Sequence, residues 1–163
     1  MNPIHPALAP LAQAARHMPY ADCVDALRAA LKAPAWLRPE HRVGDPTRYM
    51  RHVLYVDPQD HFVITAITWL PGQVSPVHGH QVWCAFGVAE GELTEEYFRE
   101  SYGKLTPLKT RTYLAGEVAE RDLDGKAIHR VSNRSRATIV SLHLYGVSAE
   151  RLTTGINRIY STS

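Results

Sequence analysis

The segment Gly72-Gln73-Val74-Ser75-Pro76-Val77-His78-Gly79-His80-Gln81-Val82-Trp83-Cys84-Ala85-Phe86-Gly87-Val88-Ala89-Glu90-Gly91 carries the densest chemistry in the chain. His78 and His80 are two residues apart. On an extended strand, side chains at i and i+2 share a face, so two imidazoles there can grip a single metal ion. Gly72 lies six residues before His78, and Gly91 lies eleven after His80, where a hairpin turn is wanted. A third histidine, His129, occurs in Ala127-Ile128-His129-Arg130-Val131-Ser132-Asn133, about fifty residues further on. An antiparallel roll brings that segment beside the first pair.

Around this segment the chain reads as a series of short β-branched and aromatic runs separated by turn residues. The predicted strands are Tyr49–Val56, Phe62–Leu70, Cys84–Ala89, Glu92–Arg99, Thr110–Leu114, Val118–Leu123, Ala127–Val131 and Thr138–Tyr145. Asp57-Pro58, Pro71-Gly72, Glu90-Gly91, Gly103, Ala115-Gly116 and Asp124-Gly125 separate them. No helix falls between these strands, which implies an antiparallel sandwich or barrel. The first part of the chain differs. Ala7, Leu8, Leu11, Ala14 and Ala15 recur at helical spacing, as do Cys23, Val24, Leu27, Ala30 and Leu31, and Pro19 and Pro34 punctuate the two runs. Residues 39–46 read as a linker, and the tail from Val147 to Ser163 carries no clear pattern.

Composition narrows the classes. A chain of 163 residues is long enough for one domain with its own core and too short for two full ones. Lys and Arg total 18 against 16 Asp and Glu, spread along the chain, which gives no nucleic-acid-binding signature. No apolar run approaches the ~20 residues of a membrane span. The first residues lack a basic start followed by an apolar block, so no secretory signal is read and a cytoplasmic location is expected. Two cysteines, Cys23 and Cys84, cannot build a disulfide framework.

Gly72, His78, His80 and Gly91, then Gly116, His129 and Asn133, resemble the two motifs of the cupins. One position departs from the usual frame: Cys84 stands where a cupin has its glutamate ligand. The second motif fits more loosely, lacking its proline and with Gly125 one position early. Loss of the carboxylate leaves three neutral imidazoles, which is similar to the thiol dioxygenases of the cysteine dioxygenase type. The resemblance implies a mainly β fold, a cupin-type antiparallel β-barrel (jelly roll) with two N-terminal helices. Residues 1–163 would form a single domain, with helices over 1–37 and the barrel core over 49–146. It implies Fe(II) on His78, His80 and His129.

Two further segments carry the resemblance. In Ser141-Leu142-His143-Leu144-Tyr145, the residues Ser141, His143 and Tyr145 share one face of a strand. The family has a Ser-His-Tyr relay in this order and spacing, in which the serine orients the imidazole and the imidazole orients the tyrosine hydroxyl toward substrate. Tyr49-Met50-Arg51 matches the family's Tyr-x-Arg, whose arginine binds the substrate carboxylate through paired hydrogen bonds. Arg51 favours cysteine as substrate, since 3-mercaptopropionate dioxygenases often have glutamine there. Against this, His78-Gly79-His80 replaces the usual His-Asp-His, and Gln81-Val82-Trp83 is closer to the mercaptopropionate branch. In some members the cysteine at the Cys84 position forms a thioether with the relay tyrosine, here Tyr145. Trp83 is expected on the pocket wall.

The implied activity is oxygenation of a small mercapto carboxylate, both atoms of dioxygen passing to sulfur to give a sulfinate. The expected partners are therefore a small thiol and dioxygen, with no nucleic acid and no membrane, in a monomer or small homo-oligomer. Two other classes share the fold: a metal cupin enzyme acting on a non-thiol substrate, and a cupin that only binds a small molecule. The Ser-His-Tyr spacing sets the thiol dioxygenases apart from the first.

Overall fold

The computed structural model describes residues 3–17, 20–119 and 127–161. Among these residues two α-helices, α1 (Ala9–His17) and α2 (Tyr20–Lys32), precede ten strands. These are β1 (Met50–Val56), β2 (Val63–Trp69), β3 (His78–His80), β4 (Cys84–Glu90), β5 (Glu92–Ser101), β6 (Lys104–Leu114), β7 (Val118–Ala119), β8 (Ile128–Ser132), β9 (Ile139–Tyr145) and β10 (Asn157–Ile159). They form two five-stranded sheets, ordered β1-β2-β9-β4-β7 and β10-β3-β8-β5-β6, with every strand pair antiparallel. Among the described residues the sheets do not close on each other by strand pairing. The expected barrel is thus two facing sheets.

The alternation of side chains assigns each strand two jobs. In the first sheet, Ile64, Ala66, Ala85, Ala89, Val140, Leu142 and Leu144 meet Leu8, Leu11, Ala12, Ala15, Cys23, Val24, Leu27 and Leu31 from the helices. The opposite face supplies Ile67, Trp69, Phe86, Val88 and Ile139, which meet Leu93, Tyr113 and Val131 of the second sheet. β2 and β9 are therefore buried along their whole length.

Helix α2 ends at Lys32, before Pro34, and the Trp36 indole N–H donates to the Ala30 carbonyl at 2.9 Å, turning the chain toward the sheets. The helical reading over 1–37 therefore overran by several residues. Gly91 takes a φ of +81° in the β4–β5 turn, a conformation that costs glycine little. Three strands differ from expectation. The β6 strand starts at Lys104 because it pairs with β5 from Ser101↔Lys104, through one register shift at Tyr97/Phe98. The short β10 is specified by its pairing with β3, Asn157↔His80, and has no periodicity of its own. Of the strand expected over Val118–Leu123, β7 accounts for Val118 and Ala119; its remainder, the Asp124-Gly125 turn and Pro19 lie outside the described residues. No helix among the described residues is long and apolar enough to cross a membrane.

Helix α2 approaches β4 closely at Gly87. A Cβ there would lie 2.4 Å from Leu31 Cδ1 and 2.7 Å from the Glu117 carbonyl oxygen. Gly87→Ala should therefore lower unfolding free energy by about 1–3 kcal/mol, read from denaturant midpoints. Adding Leu31→Ala should not restore full stability, because the Glu117 backbone cannot move aside. An unshifted midpoint in the single variant would show that the helix does not pack at this distance.

Candidate metal centre

The β3–β8 ladder builds the centre. His78 sits directly opposite His129 in register, and His80 follows on the same face. Their ring centroids are 4.4 Å (His78–His129), 4.9 Å (His80–His129) and 5.1 Å (His78–His80) apart. One ligand nitrogen from each ring lies within 4.8 Å of the others, and all three residues are buried. Burial, with His129 adjacent, pushes His78 down to about 3 and His80 down to about 2. Both rings are neutral near pH 7 and have a lone pair to give.

Hydrogen bonds orient two of the rings. His78 Nδ1 lies 2.9 Å from the Pro76 carbonyl oxygen, which can only accept, so Nδ1 carries the proton and Nε2 is left for a metal. His129 Nδ1 lies 2.5 Å from Glu95 Oε1. Glu95 is fully buried on β5, where Leu93, Glu95 and Tyr97 alternate inward. The Tyr97 hydroxyl donates to Glu95 and lies 3.1 Å from the Tyr113 hydroxyl. Burial and then the Glu95 charge raise both tyrosines above their ordinary range, so they stay protonated. A carboxylate behind a histidine of this kind fixes its ring and makes it a stronger donor to a metal. The sequence reading did not find Glu95; an acid at the inward position of an otherwise apolar strand face was the available signal.

Ser141, His143 and Tyr145 lie on β9, which pairs with both β2 and β4. Ser141 Oγ is 2.8 Å from His143 Nε2, and His143 Nδ1 is 3.0 Å from the Tyr145 hydroxyl. The Trp69 indole N–H donates to Ser141 Oγ at 2.9 Å. Burial holds the His143 imidazole well below its ordinary value and the Tyr145 phenol well above, with Cys84 adding to the latter and Arg51 opposing it. Cys84 stands directly opposite Tyr145 in the β4–β9 register.

These elements line a partly open pocket between the sheets. His78, His80, His129, His143 and Tyr145 line it together with Tyr49 and Arg51. Tyr49 stacks on Trp69 at 4.5 Å, and the Arg51 guanidinium carbon lies 5.7 Å from the Tyr49 ring centre. Among the described residues, Arg51 Nε is buried with no hydrogen-bond partner and no carboxylate lines the space. Trp83 is not on its wall. It packs against the helix-facing core and over Gly146, since Cys84 points inward and its neighbour must point out. The apolar wall comes instead from Ile67, Trp69, Phe86 and Val131. The motif residue Asn133 has a structural part: its amide nitrogen donates to the Trp69 and Ala137 carbonyls at 2.9 and 2.8 Å.

Three converging imidazoles, one of them backed by a carboxylate, fit a first-row divalent cation, for which imidazole is a preferred donor. Among solved structures, an uncharacterized conserved protein with a double-stranded β-helix domain from Klebsiella pneumoniae subsp. pneumoniae is similar at 17% identity and a TM-score of 0.48, over 76% of this chain and 93% of that one. A recombinant oxalate oxidase in complex with glycolate is similar at 20% identity and a TM-score of 0.46, over 63% of this chain and 53% of that one. Oxalate decarboxylase from Bacillus subtilis is similar at 21% identity and a TM-score of 0.41, over 55% and 22%. At this distance these likenesses say nothing of activity. The family match reaches much further along the chain: residues 9–152 fit the family described as cysteine dioxygenase type I, and with nearly its whole length matched, helices and histidine site included, the chain belongs to that family.

Proposed function

We propose that this protein is an Fe(II)-dependent thiol dioxygenase that converts a small mercapto carboxylate, cysteine in first place, to its sulfinate. The observation that carries the reading is one pocket lined by both the three histidines and a guanidinium with no carboxylate partner among the described residues. His78, His80 and His129 would hold the ion. Bound there, Fe(II) would supply a Lewis acid favouring the thiolate and the electron transfers by which both atoms of dioxygen pass to sulfur.

The chain's own residues do the rest. Arg51 offers paired donors to the substrate carboxylate, and Tyr49, held against Trp69, braces the guanidinium from one side. The net charge of the lining favours an anion, since Arg51 is its one fixed charge among the described residues. Tyr145 places a hydroxyl beside the same space, held by His143 and Ser141. Ile67, Phe86 and Val131 keep the remaining wall apolar, which strengthens the polar contacts by excluding water. Fixing thiol and carboxylate together restricts the substrate to one orientation, the entropic part of the catalysis. 3-Mercaptopropionate has the same thiol and carboxylate and is the second reading.

Oxygen uptake by the Fe(II)-loaded protein should be measured with cysteine, 3-mercaptopropionate, mercaptosuccinate, cysteamine and a thiol-free analogue. Uptake matched by sulfinate mass with one mercapto acid is expected. No uptake with any thiol at full iron occupancy would reject the reading. Arg51→Ala should raise KM for the carboxylate substrates about ten- to a hundredfold, the value of a charged paired hydrogen bond, while iron is retained. An unchanged KM would remove Arg51 from that role. The cross-strand position of Cys84 opposite Tyr145 supports the thioether as well. After turnover, a fraction of the protein should lose two hydrogen atoms in intact mass, and Cys84→Ala should abolish that species.

A further inference from the structure

The relay on β9 has a direction, and a residue outside the family's three-residue motif sets it. His143 is buried and neutral, so its ring carries one N–H. Two arrangements are open. In one, Ser141 donates to Nε2, and Nδ1–H donates to the Tyr145 oxygen. In the other, Nε2–H donates to Ser141, and Tyr145 donates to Nδ1. The serine proton decides between them. The Trp69 indole can only donate, and at 2.9 Å it occupies an acceptor site on Ser141 Oγ. The serine proton then has two destinations: His143 Nε2 at 2.8 Å or the Ile67 carbonyl at 3.5 Å. The second is at the limit of a hydrogen bond, and the first is at its optimum.

We infer that Trp69 is a positioning residue that polarises the chain Trp69→Ser141→His143→Tyr145, so that His143 holds the Nδ1–H tautomer and Tyr145 keeps its own hydroxyl proton for the pocket. The phenol oxygen accepts from the imidazole, and the O–H is left to donate to an oxygen of the bound substrate. Because each bond in a chain strengthens the next, a donor at the far end makes the terminal hydroxyl a better donor. Trp69 is itself held in place: it is buried, and its ring stacks on Tyr49. One side chain thus braces the arginine side of the pocket with its ring face and orders the tyrosine side with its N–H. The consequence for substrate rests on the dioxygenase reading; the tautomer does not.

The test is a long-range 1H–15N spectrum of the full-length protein labelled at histidine, metal-free and with diamagnetic Zn(II). His143, assigned by its loss in His143→Gln, should show a protonated Nδ1 and an unprotonated Nε2. In Trp69→Phe, which keeps the ring stack, and independently in Ser141→Ala, that single tautomer should be lost to a mixture or to Nε2–H. In Trp69→Phe with iron bound stoichiometrically, kcat for the thiol should fall on the order of tenfold. An Nε2–H tautomer in the parent protein overturns the inference. So does Trp69→Phe retaining pure Nδ1–H. Both tautomer readouts are taken without substrate, so neither of these outcomes depends on whether any thiol is oxidised.

Discussion

Polar side chains buried between two sheets lose most of their contact with bulk water, so partners on neighbouring strands must compensate. In this protein that constraint orders the strands around the histidines. β8 and β3 turn His129 and His78 inward opposite one another, β5 turns Glu95 toward His129, and β9 turns Ser141, His143 and Tyr145 inward. Each of these pairs requires a fixed register, since a slip of one residue would send the whole set to the opposite face. The helices are tied to the same requirement. With the inward face of β9 polar, its apolar face needs cover, and α1 and α2 supply it through Leu11, Leu27 and Leu31 against Leu142 and Leu144.

Charge is distributed with the same economy. His78 and His80 are neutral, and among the described residues the space they line contains one guanidinium and no carboxylate. The negative charge belonging to the centre stands one residue back, on Glu95, out of the cavity but in contact with His129. A carboxylate placed there makes His129 a stronger donor without occupying space a ligand would need. It is tied down by Tyr97, whose own hydroxyl lies against Tyr113. The surface arginines near this sheet play no part in the site: Arg130 and Arg134 share Glu96 on its outer side, each at 2.8 Å.

Much of the site was legible because spacing on a strand is a geometric statement. His78 and His80, and Ser141, His143 and Tyr145, had to share faces once their segments were extended. Trp83 went to the wrong side for a reason the same rule contains: with Cys84 inward, an adjacent residue faces out. Glu95 and Trp69 escaped because neither belongs to a motif. Their roles come from contacts made across sequence separations of 34 and 72 residues. The short β10 escaped for a related reason, as three residues hold no periodicity and the strand exists through its pairing with β3.

By itself the sequence determined the strand cadence, the helical lead, the three ligand candidates and the shared face of Ser141, His143 and Tyr145, since each depends on neighbours within one element and on the side-chain period of that element. The tertiary structure alone decided which acid stands behind His129, which donor stands behind Ser141, that the sheets face each other without closing, and that the polar faces of these strands point inward. Those outcomes depend on register between strands distant in sequence, which is set by long-range packing and by the need to satisfy buried polar groups together.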